Sequence, residues 1–378
     1  MFGYIVGSYD RKKGNNHMQS NFEVNFTILT IPRGFNREGE EIDETSVRQL
    51  NAIKSWLALT PKPEIILFGD DPGVAETASE LGISHIPDIE KTESGAPLFN
   101  DAILKGQEYA STDVVVYVNS DIILFDDFTR AIVKCAAKRW GRYLLTGRRQ
   151  DLDFEEIGVM DFSNPEWQDD LRAVALTFGK ENIGMDYFVF PKGMYKDMPC
   201  FAIGRPAFDT WMTGSAIFDG IPVVDLSDDV LIVHQNHDYN HILRNGSVIA
   251  RDEHPDSKNN LKAAGRVIPF GMTASSTWLL KDGKLRRRLP TKETPKNFFR
   301  SVIFHNFEYM IHEISLIKYL EYVENCPQFS VAPMPYRKIN LYEYIRYEIA
   351  RIKGMFFAPV LKNDAKGHSD VSREKALS

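Results

Sequence analysis

The stretch Val114-Val-Val-Tyr-Val-Asn-Ser-Asp-Ile-Ile-Leu124 sets three polar residues inside an apolar run. Five apolar or aromatic residues in succession, without polar alternation, are typical of a strand buried on both faces of a parallel sheet. The triplet Asn119-Ser120-Asp121 then falls at the carboxyl end of that strand, the edge at which open α/β sheets bind ligands. A carboxylate two residues after an amide suits a hard divalent cation that also holds phosphate oxygens. The alternative is a plain strand-ending turn, because all three residue types favour turns.

Strand-like and helix-like segments alternate on both sides of this stretch. Asp43 is placed to cap the first predicted helix. The alternation predicts a mostly parallel sheet with helices on both faces. No Gly-x-Gly-x-x-Gly or Walker sequence opens a helix here, so side chains and a metal ion would have to hold any nucleotide. Strands are predicted over 25–31, 64–68, 83–86 and 142–146, and helices over 43–59, 74–81, 100–110 and 126–138.

The second half of the chain contains shorter predicted elements. Residues 150–183 are polar and irregular, which predicts either an ordered functional loop or a mobile lid. A helix is predicted over 207–218, beginning at Pro206. The strand predicted over 230–233 runs into a polar block that holds His234, His237 and His241. Further strands are predicted over 186–190, 223–225, 277–280 and 285–289, the last two as a hairpin around Lys281-Asp-Gly-Lys284.

Composition limits the class of protein. The chain has 378 residues, with 43% hydrophobic and 26% charged residues, which is typical of a soluble globular protein. A net charge of −7 argues against a nucleic-acid-binding protein. Cys135, Cys200 and Cys326 are widely separated, which favours a reducing, cytoplasmic compartment. No apolar run is long enough to span a bilayer, and the N-terminus has the reverse order of a secretory signal.

Three later blocks, taken with the triplet, carry a resemblance to a known family. The blocks are Gly184-Met-Asp-Tyr-Phe-Val-Phe-Pro-Lys-Gly193, Phe201-Ala-Ile-Gly-Arg-Pro-Ala-Phe-Asp-Thr-Trp211 and Val233-His-Gln-Asn-His-Asp-Tyr239. With the strand–helix alternation, they resemble GT-A glycosyltransferases, and within them a poorly characterised bacterial and plant group. The resemblance covers roughly residues 25–241. The triplet has Asn119 where the family's Asp-x-Asp motif has its first Asp.

The resemblance implies transfer of a sugar from a nucleotide-diphosphate donor to an acceptor hydroxyl on a glycan or a lipid-linked molecule, in surface-glycan synthesis. Asp121 would ligate Mn²⁺ or Mg²⁺, which neutralises the diphosphate leaving group. His234 and His237 are the further candidate metal ligands. Asp209 is the candidate general base of an inverting transfer. The alternative for Asp209 is stabilisation of a helix N-terminus.

The remaining candidate residues would bind the donor or the substrate. Pro32 and Arg33 would border the nucleotide, and Asp70 would accept hydrogen bonds from the base. Asn119 would hold the ribose or assist the metal. Arg205 would bind diphosphate or fix Asp209, and a structural salt bridge is the alternative. Helix N-capping is an equal explanation for Asn100, which could bind nucleotide. Asp186 and Trp211 are the candidate substrate contacts, with core packing the alternative for Trp211.

The predicted fold is therefore α/β: a GT-A, Rossmann-like, mostly parallel sheet flanked by helices, with a helical C-terminal extension. A poorly ordered leader is expected over 1–24. The catalytic domain is expected over 25–290, with a nucleotide-binding half at 25–150 and an acceptor half at 151–290. An aromatic-rich helical extension is expected over 291–361, followed by a disordered polar tail at 362–378.

Several alternatives stay open at this point. A retaining transferase would need no dedicated base, and a catalytically silent GT-A-like protein would bind a sugar or a partner without turnover. A sugar-phosphate nucleotidylyltransferase would carry a Gly-rich motif that Thr30-Ile-Pro-Arg-Gly34 matches poorly. The basic residues of 281–300, with the aromatic segment after them, predict either a peripheral contact with an anionic membrane or a solvated basic face.

Overall fold

The computed structural model of the protein describes residues 24–38, 41–237, 254–265, 273–288 and 341–357. The predicted leader up to residue 23, most of the predicted extension and the predicted tail lie outside these residues, as does His241. The strands are β1 Phe26–Thr30, β2 Arg37–Glu38, β3 Glu41–Ile42, β4 Glu64–Phe68, β5 Ser84–Ile86, β6 Val114–Val118, β7 Ile122–Leu124, β8 Leu144–Thr146, β9 Arg149–Asp153, β10 Lys180–Asn182, β11 Tyr187–Pro191, β12 Val223–Asp225, β13 Ile232–Asn236, β14 Trp278–Lys281 and β15 Lys284–Arg287.

The helices follow the apolar periodicity of the sequence. The first is capped as predicted, because the side chain of Asp43 accepts a hydrogen bond of 2.7 Å from the backbone N–H of Ser46. The helices are α1 Glu44–Leu57, α2 Val74–Leu81, α3 Phe99–Tyr109, α4 Asp126–Ala136, α5 Phe154–Ile157, α6 Trp167–Phe178, α7 Phe208–Phe218, α8 Pro255–Ala264 and α9 Leu341–Phe356.

The central layer is a nine-stranded sheet in the order β15-β14-β12-β8-β11-β6-β1-β4-β5. All of its strands run parallel except β11 and β15. Every residue of β1 and β6 is buried, because apolar clusters cover both faces of the sheet. The predicted mostly parallel α/β fold is therefore confirmed.

A second, four-stranded sheet has the order β10-β9-β13-β7. The triplet Asn119–Asp121 connects β6 in the central sheet to β7 in this one. The strand predicted over 230–233 is observed at Ile232–Asn236, so His234 lies inside a strand and not after it. Its neighbours in the sheet are β9, which is parallel, and β7, which is antiparallel.

The prediction of an irregular loop or lid over 150–183 is wrong. This segment forms most of β9, with α5, α6 and β10. The sequence of this segment is polar because its helices and strands bury few side chains. Strand β10 has no fully buried residue, and α6 buries only Trp167, Leu171 and Ala175. Those three residues recur every four positions and form a narrow apolar stripe.

The predicted hairpin is present as β14 and β15. Its turn residues Asp282 and Gly283 both have positive φ angles, 51° and 65°, as a two-residue hairpin turn requires. Helix α9 packs beside this hairpin, where the indole N–H of Trp278 donates to the carbonyl of Gly354 at 3.2 Å. Within the described ranges, no helix combines the length and hydropathy needed to cross a bilayer.

Candidate functional site

A cleft of about 1260 Å³ opens where the carboxyl ends of β1 and β6 meet the four-stranded sheet. Because β11 is antiparallel to β6, with Tyr187 opposite Val118, its amino end reaches the same edge. The cleft thus collects most of the residues that the sequence singled out. Those that line it are Pro32, Arg33, Asn119, Asp121, Asp186, Arg205, Asp209, His234 and His237.

The floor of the cleft carries a carboxylate and two imidazoles. Nε2 of His234 and Nε2 of His237 each lie 3.4 Å from Oδ2 of Asp121. One ligand atom from each of the three residues lies within 4.8 Å of the others. This arrangement follows from strand register: His234 is paired with Ile122 on β7, so Asp121, one residue before Ile122, lies beside the imidazole.

The charges of this triad depend on one another. Burial alone would raise the pKa of Asp121, but His234 and His237 hold the pKa well below its usual range. Burial alone would lower the pKa of His234, but the Asp121 carboxylate outweighs that effect and raises the pKa to about 10. In the absence of a metal ion, a proton on His234 therefore balances the negative charge of Asp121.

The triad fits a divalent metal ion on two observations. Oδ1 of Asp121 is buried and has no hydrogen-bond partner among the described residues, so this carboxylate carries an uncompensated polar atom. Two imidazole nitrogens with one carboxylate oxygen are a donor set used by first-row transition metals. Asp121, His234 and His237 would hold such an ion and leave coordination positions open to the cleft.

A network of charged and amide groups lies beside the triad. Asn119 and Asp186 are among the candidates from the sequence, but Arg149 and Asp151 are not. Arg149 lies between two acids, with Nε 2.7 Å from Oδ1 of Asp151 and Nη1 2.8 Å from Oδ2 of Asp186. The side-chain amide of Asn119 donates to Asp186 at 2.6 Å. Asp151 in turn lies 3.0 Å from Nδ1 of His234. The polar sequence of this segment predicts a loop, so its register with β13 is not visible in the sequence.

The loop after β1 is fixed to the triplet by one side chain of α1. Oε1 of Gln49 accepts from the backbone N–H of Arg33 at 2.7 Å and from the hydroxyl of Ser120 at 3.0 Å. Nε2 of Gln49 donates to the carbonyl of Arg33 at 3.2 Å. Gln49 is 2% exposed, so this buried amide sets where Pro32 and Arg33 border the cleft.

Asp209 and Arg205 reach the cleft from the beginning of α7. Asp209 is the second residue of the helix, and its carboxylate accepts from the backbone N–H of Thr210 at 2.7 Å. The helix begins at Phe208 and not at Pro206 as predicted. Ala207, which lies between these two residues, has a φ angle of 89°, outside the helical range. Nη2 of Arg205 lies 3.4 Å from Nε2 of His254, which precedes α8.

Three candidate residues lie outside the cleft lining. The exposed Asp70 pairs with Lys91, and its neighbour Asp71 lines the cleft instead. Asn100 is buried and accepts from the backbone N–H of Phe201 at 3.3 Å. The capping alternative for Asn100 is wrong, because α3 begins one residue earlier and Leu98 is its N-cap. Trp211 is partly buried and packs against the core, with its ring centroid 5.5 Å from that of Phe201.

Comparison with known proteins gives matches to solved structures alone. No protein-family model and no curated protein matches the sequence. S. aureus TarS 1–349 matches at a TM-score of 0.26 with 11% identity, over 34% of this chain and 36% of that one. The mannosyltransferase PcManGT from Pyrobaculum calidifontis, in complex with GDP-Man and Mn²⁺, matches at a TM-score of 0.35 with 14% identity, over 58% of each chain. The match thus spans about a third of the TarS structure.

Proposed function

We propose that the protein is a metal-dependent glycosyltransferase of the GT-A type, which moves a sugar from a nucleotide-diphosphate donor to an acceptor hydroxyl. The observation that carries the proposal is the Asp121–His234–His237 triad at the floor of a large cleft at the carboxyl edge of the sheet. Open α/β sheets bind ligands at this edge. The resemblance of the sequence to GT-A glycosyltransferases supports the same function.

The diphosphate would be bound by charge. A divalent cation on the triad would neutralise the negative charge that develops on the leaving diphosphate. Arg33 and Arg205 line the same cleft and offer guanidinium groups to phosphate oxygens. Arg149 has a different part in the site, because its guanidinium already lies against Asp151 and Asp186.

The nucleoside would be held by Asn119 and by the loop after β1. The amide nitrogen of Asn119 donates to Asp186 at 2.6 Å, so its carbonyl oxygen is the atom that can accept from a ribose hydroxyl. Gln49 fixes the backbone of Arg33 beside it. Asn in place of the first Asp of the motif is therefore compatible with donor binding, because the proposed metal ligands are Asp121, His234 and His237.

The acceptor would be activated by Asp209. An inverting transfer needs a carboxylate that takes the proton of the attacking hydroxyl. Asp209 lines the cleft from the first turn of α7. The acceptor hydroxyl would thus lie between Asp209 and the anomeric carbon of the donor.

A thermal-shift screen tests this function. The purified protein is heated with UDP, GDP, CDP or TDP, each with and without Mn²⁺. A ligand at a hundred times its dissociation constant should add about 2.7 kcal/mol to the free energy of unfolding. We expect stabilisation by one nucleotide, only with the metal ion, and none in Asp121→Ala. The nucleotide that stabilises would also identify the donor base.

The matched control is Asp113→Ala. Asp113 is an exposed acid just before the amino end of β6, the strand whose carboxyl end leads to Asp121. This variant should keep the full nucleotide-dependent shift. The absence of any shift in the unaltered protein, with all four nucleotides and Mn²⁺, would refute the proposed donor site and favour a catalytically silent protein.

A further inference from the structure

The imidazole of His234 lies between two carboxylates. On one side its Nε2 is 3.4 Å from Oδ2 of Asp121, and on the other its Nδ1 is 3.0 Å from Oδ1 of Asp151. His234 is 3% exposed, so these two acids, and not solvent, set the orientation of the ring. Register produces the contact, because His234 on β13 is paired with Asp151 on the parallel strand β9.

We infer that Asp151 is a positioning residue, which orients His234 and fixes its tautomer for metal binding. The inference rests on the metal site of the proposed function. An imidazole that binds a metal ion through Nε2 carries its proton on Nδ1. Histidine ligands usually donate that N–H to a carboxylate or a carbonyl, and loss of the acceptor weakens metal binding. Asp151 is the carboxylate in the position to accept it.

Asp151 is held in place by its own partners. Its Oδ2 accepts from the side-chain amide of Asn182 at 2.6 Å, and its Oδ1 lies 2.7 Å from Nε of Arg149. Arg149 is held in turn by Asp186 at 2.8 Å. The carboxylate thus has partners on both oxygens and cannot turn into the cleft without breaking these contacts. This is expected of a residue that supports a metal ligand, and not of a metal ligand itself.

The same arginine joins the two halves of the site. Asp186 accepts from the amide of Asn119, and Arg149 connects Asp186 to Asp151. The group that positions a metal ligand is therefore in one network with the group proposed to hold the ribose. A purely structural Asp151 would serve only its contacts with Arg149 and Asn182, and its loss would lower stability without changing metal affinity.

Metal affinity separates the two roles. Free Mn²⁺ is measured by EPR during titration of the wild type, Asp151→Ala and Asp151→Asn. We expect Asp151→Ala to weaken Mn²⁺ binding about 10- to 100-fold. Asp151→Asn should give an intermediate loss, because the carboxamide oxygen still accepts the Nδ1 proton without a negative charge. The control is Glu181→Gln, which removes an acid from the neighbouring strand β10, where Glu181 pairs with Arg148.

A spectroscopic measurement tests the tautomer directly. In ¹⁵N-histidine NMR spectra with Zn²⁺ as a diamagnetic substitute, His234 should show Nε2 bound to the metal ion and a protected Nδ1–H. That Nδ1–H signal should exchange with water in Asp151→Ala. The signal is assigned by its loss in His234→Gln.

Two results would overturn the inference in distinguishable ways. If Asp121→Ala abolishes Mn²⁺ binding and both Asp151 variants bind as tightly as the wild type, Asp151 has only a structural role and the metal site stands. If Asp121→Ala binds Mn²⁺ as tightly as the wild type, the metal site of the proposed function is itself wrong, and the role of Asp151 is wrong with it. Asp151→Asn keeps the test available if Asp151→Ala fails to fold.

Discussion

Nε2 of His234 lies 3.4 Å from Oδ2 of Asp121, at a position where the imidazole is 3% exposed. In this geometry the two side chains form an ion pair with each other in the metal-free protein. A metal ion bound between them would replace the proton on His234 and take its place as the partner of the carboxylate. Proton and metal ion therefore compete for one site, and this competition leads to the first two predictions.

The first prediction concerns which metal ion the site binds. Two imidazoles and one carboxylate suit Mn²⁺, Co²⁺ or Zn²⁺, whereas Mg²⁺ prefers oxygen ligands. We expect Mn²⁺ to bind at least about tenfold more tightly than Mg²⁺, as measured by isothermal titration calorimetry. His237→Asp should narrow this difference, because it replaces a nitrogen ligand with an oxygen. Equal affinities for the two ions in the wild type would contradict the assignment of the histidines as ligands.

The second prediction concerns pH. The pKa of His234 is raised to about 10, so in the metal-free protein the imidazole is protonated at neutral pH. Metal affinity should rise about tenfold per pH unit between about pH 6.5 and 8, with release of about one proton per ion. The stabilising His234–Asp121 pair is present below the unfolded pKa of about 6.5 and is lost as pH rises through about 10.

Calorimetry in two buffers with different ionisation enthalpies measures this proton release. A histidine with an ordinary pKa would be neutral by pH 8, and its metal affinity would level off above about pH 7. Such a plateau, with no proton released at pH 8, would show that the pairing of His234 with Asp121 does not hold in solution.

Local sequence patterns predicted the elements that build the scaffold. The strand over 64–68 and the helix over 74–81 are observed with the same bounds, because each has a regular apolar pattern between Pro or Gly residues. Asp121 could be predicted because polar residues at the carboxyl ends of parallel strands meet at one sheet edge. His234 and His237 followed from the resemblance, and the position of His234 inside β13 could not be predicted.

The network behind the ligands could not be predicted in this way. Asp151 and Arg149 act through cross-strand neighbours, and register between β9 and β13 is set by packing that sequence polarity does not show. The sequence also does not decide whether Asn100 and Trp211 face the cleft, and it leaves core packing open for Trp211. Each lies next to a motif in sequence, but its side chain turns to the interior, where it contacts Phe201.

The third prediction tests the general base. Asp209→Asn should lower turnover about 10²- to 10⁴-fold if the transfer is inverting, because the acceptor proton then has no carboxylate to receive it. Nucleotide affinity, measured by thermal shift, should stay unchanged, since the proposed diphosphate ligands are elsewhere. The control is Asp219→Asn at the other end of α7, where Asp219 pairs with Arg142 on the surface. Full activity of Asp209→Asn would favour a retaining transferase.

The fourth prediction concerns the buried amides that hold the site together. Nδ2 of Asn51 donates to the carbonyl of Gly158 at 2.8 Å and to Oε1 of Gln235 at 3.0 Å, while its Oδ1 accepts from the backbone N–H of Met160 at 3.1 Å. Nε2 of Gln235 donates to the carbonyl of Asp121 at 3.0 Å. Asn51 thus supports the backbone beside a proposed metal ligand through Gln235.

Asn51→Ala removes three hydrogen bonds. It leaves the buried side-chain amide of Gln235 and the part-buried backbone groups of Gly158 and Met160 without those partners. Since each buried group without a partner costs about 1–3 kcal/mol, we expect the free energy of unfolding to fall by about 3 kcal/mol, measured by urea titration of the metal-free protein. The control is Lys54→Ala, on the exposed side of the same helix. It should change the free energy of unfolding by less than about 0.5 kcal/mol. Mn²⁺ affinity should fall as well, because Gln235 loses the amide that holds it against Asp121. If Asn51→Ala is as stable as Lys54→Ala, water must replace the lost hydrogen bonds, and the network does not support the site.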